Sequence, residues 1–255
     1  MATTGLDTTN PPWRRLGWAG INALQLVYTL IFSAAGITLA LLALLACGGR
    51  PWLPLRMAAW LWAPGLMLGA GARWRVYDVD AVDWTQPCVL VANHQSEIDI
   101  CALFRAVPVP LRFVLKQELA RMPFLGWYTR AMGMLFIDRG HSREAARSLH
   151  HAAAMVRDGA VVCVFPEGTR SPSGRLGTFK GGAFQLAIEA GVPVVPVAIR
   201  GSGMVLPRGG FRVRPGLIEL RFGTPIATAG LTTADRHTLT TQARDAVQDL
   251  LRRSA

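Results

Sequence analysis

The feature that most constrains this chain is an uncharged apolar stretch from Leu16 to Gly49, rich in Leu, Ala, Ile and Val. It is longer than the roughly 20 residues that a membrane-spanning helix needs. A second apolar stretch, from Met57 to Ala72, is shorter and contains Pro64. Together they predict a two-helix hairpin over residues 16–72 that either spans a membrane twice or dips into one leaflet. A secretory signal peptide is the weaker interpretation, because the apolar region is too long for one.

Basic residues flank both apolar stretches, and either form of the hairpin returns the chain to the side that it left. The flanking residues are Arg14, Arg15, Arg50, Arg56, Arg73 and Arg75. Because cytoplasmic segments carry an excess of Lys and Arg, this side is predicted to be the cytoplasm. The preference for Arg over Lys is typical of a GC-rich bacterial genome. We therefore predict the bacterial cytoplasmic (inner) membrane, with the rest of the chain facing the cytoplasm.

The net charge of +11 suits nucleic acid, an anionic membrane surface or an anionic substrate. Nucleic acid is disfavoured as a partner, because the sequence has no zinc-finger spacing, no ribonucleoprotein aromatic motif and no basic helix. With 51% hydrophobic and only 17% charged residues, the chain is too apolar for an ordinary soluble domain. A bilayer that carries anionic lipid is the partner that the composition favours.

Strand-like and helix-like runs alternate from about residue 74. The strand-like runs are 88–92, 112–115, 133–138, 160–165, 194–200 and 217–222, and the helix-like runs are 97–106, 142–158, 179–190 and 233–253. This alternation predicts an α/β domain with a partly parallel sheet over residues 73–255. Residues 1–72 would form an N-terminal tail and the membrane-anchoring hairpin. The four cysteines form no CxxC pair and lie in apolar sequence, so we expect buried thiols, with no disulfide and no metal site.

Two residues with catalytic potential, His94 and Asp99, follow the strand-like run 88–92. Five residues along a regular helix would turn them to different faces, so they can meet only if His94 precedes a helix that Asp99 enters. Ser96 is a plausible N-cap for that helix. An imidazole that is oriented by a carboxylate can take a proton from a hydroxyl near neutral pH. Taken alone, the spacing also fits a polar loop or a cap.

A second polar cluster, Glu167-Gly168-Thr169-Arg170-Ser171, follows the strand-like run 160–165. Gly168 permits close approach of the backbone, and the planar guanidinium of Arg170 suits a phosphate or a carboxylate. Alone, this cluster could be a turn with a solvated arginine. Two such clusters at strand ends of one α/β domain favour a ligand site, because ligands bind at the carboxyl ends of strands in open α/β sheets.

Four motifs, taken in order between residues 93 and 197, resemble those of the glycerolipid acyltransferases, and most closely the 1-acylglycerol-3-phosphate acyltransferases. The first two motifs are His-x4-Asp at residues 94–99 and a block from Lys116 to Arg139. The third is Phe-Pro-Glu-Gly-Thr-Arg-Ser at residues 165–171, and the fourth is Val-Pro-Val-Val-Pro-Val at residues 192–197. The resemblance implies an α/β fold with a mixed sheet flanked by helices, and the apolar leader agrees with it.

The resemblance also implies a reaction. A fatty acyl group would move from acyl-CoA or acyl-acyl carrier protein to the sn-2 hydroxyl of lysophosphatidate, giving phosphatidate in the membrane. His94 would take the hydroxyl proton and Asp99 would orient the imidazole, so neither an acyl-enzyme, a metal nor a bound cofactor is implied. The residues implied to bind the substrate and its phosphate are Lys116, Arg139, Glu167, Gly168, Thr169 and Arg170.

Two alternatives stay open at the level of sequence. The acceptor could be another lysolipid, such as a lyso-ornithine lipid, since such enzymes share these motifs. The chain could instead be a lipid-binding or membrane-shaping protein of the same fold without catalytic activity, although the intact pair of His94 and Asp99 argues against that.

Overall fold

The structure, a computed structural model, describes residues 12–137 and 142–253, and it begins with a helical hairpin. The first arm is α1 (Pro12–Ala46). The second arm consists of α2 (Trp52–Met57), a π-helical turn (Ala58–Trp62) and α3 (Ala63–Gly69). Positive φ angles at Gly48 and Gly49 allow the turn between the arms. Among the described residues, one helix, Leu16–Ala46, is long and apolar enough to cross a membrane.

Hydrogen bonds between the two arms show that they run antiparallel. The indole nitrogen of Trp62 donates to the Ser33 hydroxyl, and the Gln25 amide donates to the carbonyl of Gly69. The arms approach closely at Gly65, where a Cβ atom would lie 2.3 Å from the Phe32 ring. The two-helix hairpin predicted from the sequence is therefore confirmed as a packed pair of helical arms.

Seven strands of the described chain form one sheet. They are β1 (Ala72–Tyr77), β2 (Val89–Ala92), β3 (Leu111–Lys116), β4 (Leu135–Ile137), β5 (Val161–Val164), β6 (Val194–Arg200) and β7 (Gly216–Phe222). Their order is β1-β7-β6-β2-β5-β3-β4. The pair β6–β7 is antiparallel and the other neighbouring strands are parallel. The mixed sheet is as predicted.

Helices cover both faces of this sheet. They are α4 (Ile98–Ala106), α5 (Leu125–Ala131), α6 (Ser142–Arg157), α7 (Gly182–Ala190), the short α8 (Ser202–Val205) and α9 (Arg236–Arg252). Alternate side chains of β2 point to different faces. Leu90 belongs to the core cluster that includes α4 and the second hairpin arm, whereas Val89 belongs to the cluster that includes α6, α7 and α9.

The second arm of the hairpin shares the core of the sheet domain. Leu55, Ala63 and Met67 are buried in the same cluster as residues of α4 and of the central strands. The helical arm is therefore part of the domain as well as part of the hairpin. The division of the chain at residue 72 stays a prediction.

Among the strands and α-helices of the sheet domain, the edge strand β1, helix α5 and the short helix α8 were not predicted from the sequence. In β1, Trp74 and Val76 pack against the core, whereas Arg73 and Arg75 are exposed. The partner of β1 is β7, which lies far along the chain. The pairing that makes β1 a strand is therefore not visible in its local sequence.

Candidate active site

His94 and Asp99 meet at the carboxyl end of β2. His94 lies two residues beyond this strand and Asp99 lies in the first turn of α4. The His94 Nδ1 atom is 2.9 Å from Oδ2 of Asp99, and the imidazole is only 14% exposed. An imidazole that donates from Nδ1 to a carboxylate keeps Nε2 unprotonated, so Nε2 can accept a proton.

The Asp99 carboxylate is completely buried, and the turn before α4 explains how its charge is stabilised. The backbone N–H groups of Gln95 and Ser96 donate to Oδ2 at 2.8 and 2.9 Å, in addition to the imidazole. The N-terminus of α4 stabilises negative charge further. The helix begins at Glu97 as its N-cap, one residue later than the Ser96 cap expected from the sequence.

The buried thiols of the sheet domain are kept protonated. Cys88, Cys101 and Cys163 are buried, as predicted from the sequence, whereas Cys47, directly after α1, is only half-buried. Burial, and to a smaller extent the charge of Asp99, raises the pKa of Cys101 to about 12. Burial also raises the pKa of Cys88 to about 12. Protonated thiols are poor nucleophiles, so these side chains contribute packing.

Two residues that follow β5 fix the backbone of His94. Its N–H donates to Oε1 of Glu167 at 2.8 Å, and its carbonyl accepts the N–H of Ser171 at 2.8 Å. The other Glu167 oxygen accepts the N–H of Gly177 at 2.9 Å. Glu167 thus ties three segments together and holds His94 in position. The His94 ring also stacks on Phe165, with centroids 3.9 Å apart.

Arg170, the candidate phosphate-binding residue, lies beside this cluster. Its Nη2 atom is 3.3 Å from Oε1 of Glu97, and the Arg170 side chain is 30% exposed. The Arg170 carbonyl accepts a hydrogen bond from Nη1 of Arg208 at 2.8 Å. A phosphate that binds Arg170 must therefore compete with the carboxylate of Glu97.

The other predicted substrate residues differ in their placement. Gly168 is buried and has a φ of +78°, which favours glycine, and Thr169 beside it is exposed. Lys116 is exposed at the end of β3, two strands away from β2 on the same edge of the sheet, which corresponds to roughly 10 Å. Arg139 lies outside the described residues.

An apolar cavity of about 190 Å³ lies between the hairpin and the sheet domain. Glu97 and Ile100, which flank Asp99, are on its wall together with Phe113. Phe113 stacks on Phe165, the ring that contacts His94. The remaining lining comes from both hairpin arms, from the segment 119–129, and from Phe104, Leu115 and Met134. The cavity therefore adjoins the His94 site, and its size and lining suit an aliphatic chain.

A polar groove of about 480 Å³ begins at Gln95, directly after His94. Arg175 and Arg200 lie on its walls, and α9 contributes Gln248. The Gln95 amide donates to the carbonyl of Gly174 at 3.1 Å, which connects the two loops at this groove. Its arginines make it suitable for a phosphorylated ligand.

Sequence reasoning did not assign a role to Asn93 or to Gln95. Asn93 is buried, and its amide exchanges two hydrogen bonds with the backbone of Ile199 on β6, at 2.9 and 2.7 Å. This side chain continues the ladder between β2 and β6 beyond the last residue of β2. In the sequence, Asn93 is only an amide residue directly after a buried-strand pattern. That pattern is too general to identify Ile199, 106 residues away, as its partner.

Comparisons with known proteins identify the family that this chain is similar to. Residues 73–200 match the family model described as "Acyltransferase". The chain is 32% identical to human 1-acyl-sn-glycerol-3-phosphate acyltransferase beta, over 81% of this chain and 74% of that protein. It is 35% identical to 1-acyl-sn-glycerol-3-phosphate acyltransferase of Pseudomonas aeruginosa, over 69% of this chain and 66% of that protein.

A chloroplastic 1-acyl-sn-glycerol-3-phosphate acyltransferase of Brassica napus is 42% identical over 48% of this chain, and the match spans 36% of the plant protein's length. Among solved structures, the 1-acyl-sn-glycerophosphate acyltransferase PlsC of Thermotoga maritima has the same fold, with a TM-score of 0.73. It is 24% identical, and the likeness covers 91% of this chain and 98% of that one.

Proposed function

This chain belongs to the glycerolipid acyltransferase family, and on that premise we propose that it transfers a fatty acyl group to the sn-2 hydroxyl of lysophosphatidate, giving phosphatidate. The observation that carries the proposal is the contact of 2.9 Å between His94 and a buried Asp99 beside an apolar cavity. A base, a residue that orients it and space for an acyl chain are then in one place.

The proposed reaction is a direct transfer that uses the lipid hydroxyl as the nucleophile. The His94 Nε2 atom accepts the hydroxyl proton while the oxygen attacks the carbonyl carbon of a thioester, and the imidazolium is stabilised by Asp99. When the tetrahedral intermediate collapses, the carbon–sulfur bond breaks and the thiolate takes the proton from His94. The products are an ester and a free thiol, so no cofactor or metal and no acyl-enzyme enters this scheme.

Arg170 is the proposed partner of the acceptor phosphate. Its guanidinium is partly exposed, and its pairing with Glu97 puts it within one helical turn of Asp99. A phosphate can engage the planar fork of Arg170 in a bidentate manner. Lys116, and Arg139 outside the described residues, stay candidates for the same phosphate. Gly168 and Thr169 would shape the acceptor site, and Glu167 would support it by holding His94.

The acyl chain is proposed to occupy the apolar cavity and the donor's polar arm to occupy the groove at Gln95. Both acyl-CoA and acyl-acyl carrier protein carry a phosphorylated pantetheine arm on the thiol side of the thioester. Arg175 and Arg200 complement that phosphate. The thioester carbon would then lie between cavity and groove, close to His94.

We further propose that the chain acts at the bacterial inner membrane, with the sheet domain facing the cytoplasm. The outer face of α1 supports this location, because Leu24, Leu30, Leu42 and Leu45 are each more than half exposed. An apolar helix face of this extent is stable in a bilayer rather than in water. The arginine flanks of the hairpin favour the cytoplasmic side.

The test is a matrix of two donors and two acceptors, measured with purified full-length protein and with identification of the lipid product. Acyl-CoA and acyl-acyl carrier protein would be supplied with lysophosphatidate or with lyso-ornithine lipid. The proposal predicts phosphatidate from at least one donor. Turnover of lyso-ornithine lipid alone would show that lysophosphatidate is not the acceptor. Absence of turnover in all four reactions would favour a lipid-binding protein without activity.

A further inference from the structure

A short segment that follows β3 and runs into the first turn of α5 exposes large apolar side chains. Met122, Phe124 and Trp127 are 47%, 56% and 53% exposed. The Phe124 and Trp127 rings lie 5.2 Å apart and form one apolar surface. Three such exposed side chains within six residues are unfavourable in water and require a partner. We call the segment from Met122 to Trp127 the lip.

The backbone of the lip is strained at Phe124. Its φ of 59° and ψ of −60°, with a hydrogen bond of 2.6 Å from the Leu125 N–H to the Pro123 carbonyl, define a classic γ-turn. That turn is rare and strained, especially with a bulky residue at its centre. Strain of this kind persists where the surroundings hold it, and it is found most often at functional sites. Here it orients an aromatic ring outward.

The segment that carries the lip is apolar on both sides. Leu119, Leu125 and Tyr128 of this segment line the acyl cavity, while the side chains of Met122, Phe124 and Trp127 are exposed on its outer side. Gly126 makes this arrangement possible, since a Cβ atom there would lie 2.3 Å from the carbonyl oxygen of Ala120. A wall that is apolar inside and outside is typical of a structure with lipid on its outer side.

The other walls of the cavity have the same character. The cavity is lined by Gly36, Ile37 and Ala40 of α1, whose neighbours Leu39 and Leu42 are exposed on the outer face. α1 also packs directly against α5, so the lip continues the apolar face of α1. Arg121 and Arg130 are exposed next to the lip, where they can meet anionic headgroups. Tryptophan prefers this interfacial region of a bilayer.

We propose that the lip inserts into the lipid surface as a contact separate from the hairpin. This contact places the wall of the acyl cavity within the leaflet. This deepens the proposed function and rests on it. The cavity then faces the layer that holds the lysolipid and receives the product. Acceptor and product can exchange between leaflet and site beside the lip, without passing through water.

The test places an environment-sensitive fluorophore on the lip. Phe124→Cys is labelled with a nitrobenzoxadiazole thiol reagent in the Cys47→Ser background, since the other three cysteines are buried. The matched control carries the label at Asp158→Cys, which is exposed at the end of α6 on the opposite face of the sheet. Vesicles of phosphatidylethanolamine and phosphatidylglycerol, with and without brominated acyl chains, are then added.

With cosedimented protein, the label at position 124 should shift to the blue and be quenched by the brominated chains, whereas the label at position 158 should not change. If the label at position 124 keeps the emission that it has in water while the protein is bound to vesicles, the inference is overturned. Failure of the chain to bind vesicles would overturn it as well. Acyl transfer to lysophosphatidate in detergent micelles would still leave the proposed reaction standing.

A second measurement compares two double variants by activity. The quantity measured is the ratio of the activity on vesicle-bound lysophosphatidate to the activity on a dissolved short-chain lysophosphatidate. Phe124→Ser with Trp127→Ser should lower this ratio by roughly tenfold. Phe124→Leu with Trp127→Leu keeps the lip apolar and should retain most of that ratio. Equal losses on both acceptors in the serine variant would mean that the lip acts only through the fold, and would overturn the inference.

Discussion

The imidazole of His94 and the carboxylate of Asp99 are joined through one oxygen atom, Oδ2, which also accepts two backbone N–H groups of the same turn. The first turn of α4 therefore fixes the carboxylate, and the carboxylate fixes the ring. In the described residues no side-chain partner meets the other oxygen, Oδ1. The orientation of the imidazole, the proposed base, depends on a local element of structure and tolerates little change at Asp99.

Asp99→Asn should lower kcat by roughly 10²–10⁴-fold. The amide is neutral, and its NH₂ group cannot accept a hydrogen bond from Nδ1 or stabilise an imidazolium. The measurement is kcat with saturating lysophosphatidate, alongside Asp158→Asn as a control at an exposed site. A kcat equal to that of the unchanged protein would remove Asp99 from the mechanism.

Arg170→Ala should weaken use of the acceptor by roughly 1.5–3 kcal/mol, because a charge-assisted contact to phosphate is lost. Arg170→Lys should restore only part of this, since the fork geometry is missing. The measurement is kcat/KM for lysophosphatidate, with Arg252→Ala on the exposed face of α9 as a control. If Arg170→Ala leaves both KM and kcat unchanged, Arg170 does not bind the acceptor.

The same contact can be tested from the side of Glu97. In the structure the Glu97 carboxylate forms an ion pair with Arg170, with 3.3 Å between Oε1 and Nη2, and 58% of the Glu97 side chain is exposed. Glu97→Gln should therefore lower the KM for lysophosphatidate, by an amount that corresponds to about 0.2–1 kcal/mol for an exposed ion pair. A higher KM would indicate that Glu97 orients Arg170 for the phosphate instead of competing with it.

Gly177→Ala should reduce kcat without a contact to the substrate. A Cβ atom at this position would lie 2.8 Å from Oε2 of Glu167, the carboxylate that holds the His94 N–H. Displacement of the Glu167 carboxylate should weaken its hydrogen bond with the His94 N–H, so that His94 is held less firmly. Gly182→Ala is the matched control, because it has open space at the start of α7 and should be neutral or stabilising. Equal kcat values for the two variants would show that Glu167 does not position His94.

Ala58→Leu should shift the preferred acyl donor to shorter chains. Ala58 is buried on the wall of the cavity, so the larger side chain fills space that the acyl chain would use. Each methylene that loses its place costs about 0.8 kcal/mol, or roughly fourfold in kcat/KM. Ala154→Leu, on the exposed face of α6, is the control. If the dependence of kcat/KM on the chain length of the acyl donor does not change, the acyl chain does not occupy this cavity.

The fold could be predicted from the sequence where the pattern was local. The hairpin, the central strands and the amphipathic α9 followed from apolar runs and spacing. β1 was missed because its two exposed arginines resemble the flank of a membrane segment, and its pairing with β7 is distant in sequence. α5 was missed because Pro and Gly residues such as Pro123 and Gly126 are typical of a turn, whereas contacts with α1 and with residues 119–120 stabilise a helix there.

The candidate site was predictable in its residues and less so in their arrangement. The spacing of His94 and Asp99 required the geometry that the structure contains, a histidine before a helix and an aspartate in its first turn. The use of Glu167 on the His94 backbone, and the pairing of Arg170 with Glu97, join segments about 73 residues apart. Such contacts depend on the order of strands in the sheet, which no local pattern specifies.

The most direct test of the account is the turnover of lysophosphatidate by His94→Ala in parallel with His237→Ala, an exposed histidine on α9. The free energy of unfolding and vesicle binding would be measured for both variants. We expect His94→Ala to lose nearly all phosphatidate formation while folding and vesicle binding are retained, and His237→Ala to be fully active. Phosphatidate formation by folded His94→Ala at the rate of the unchanged protein would contradict this expectation.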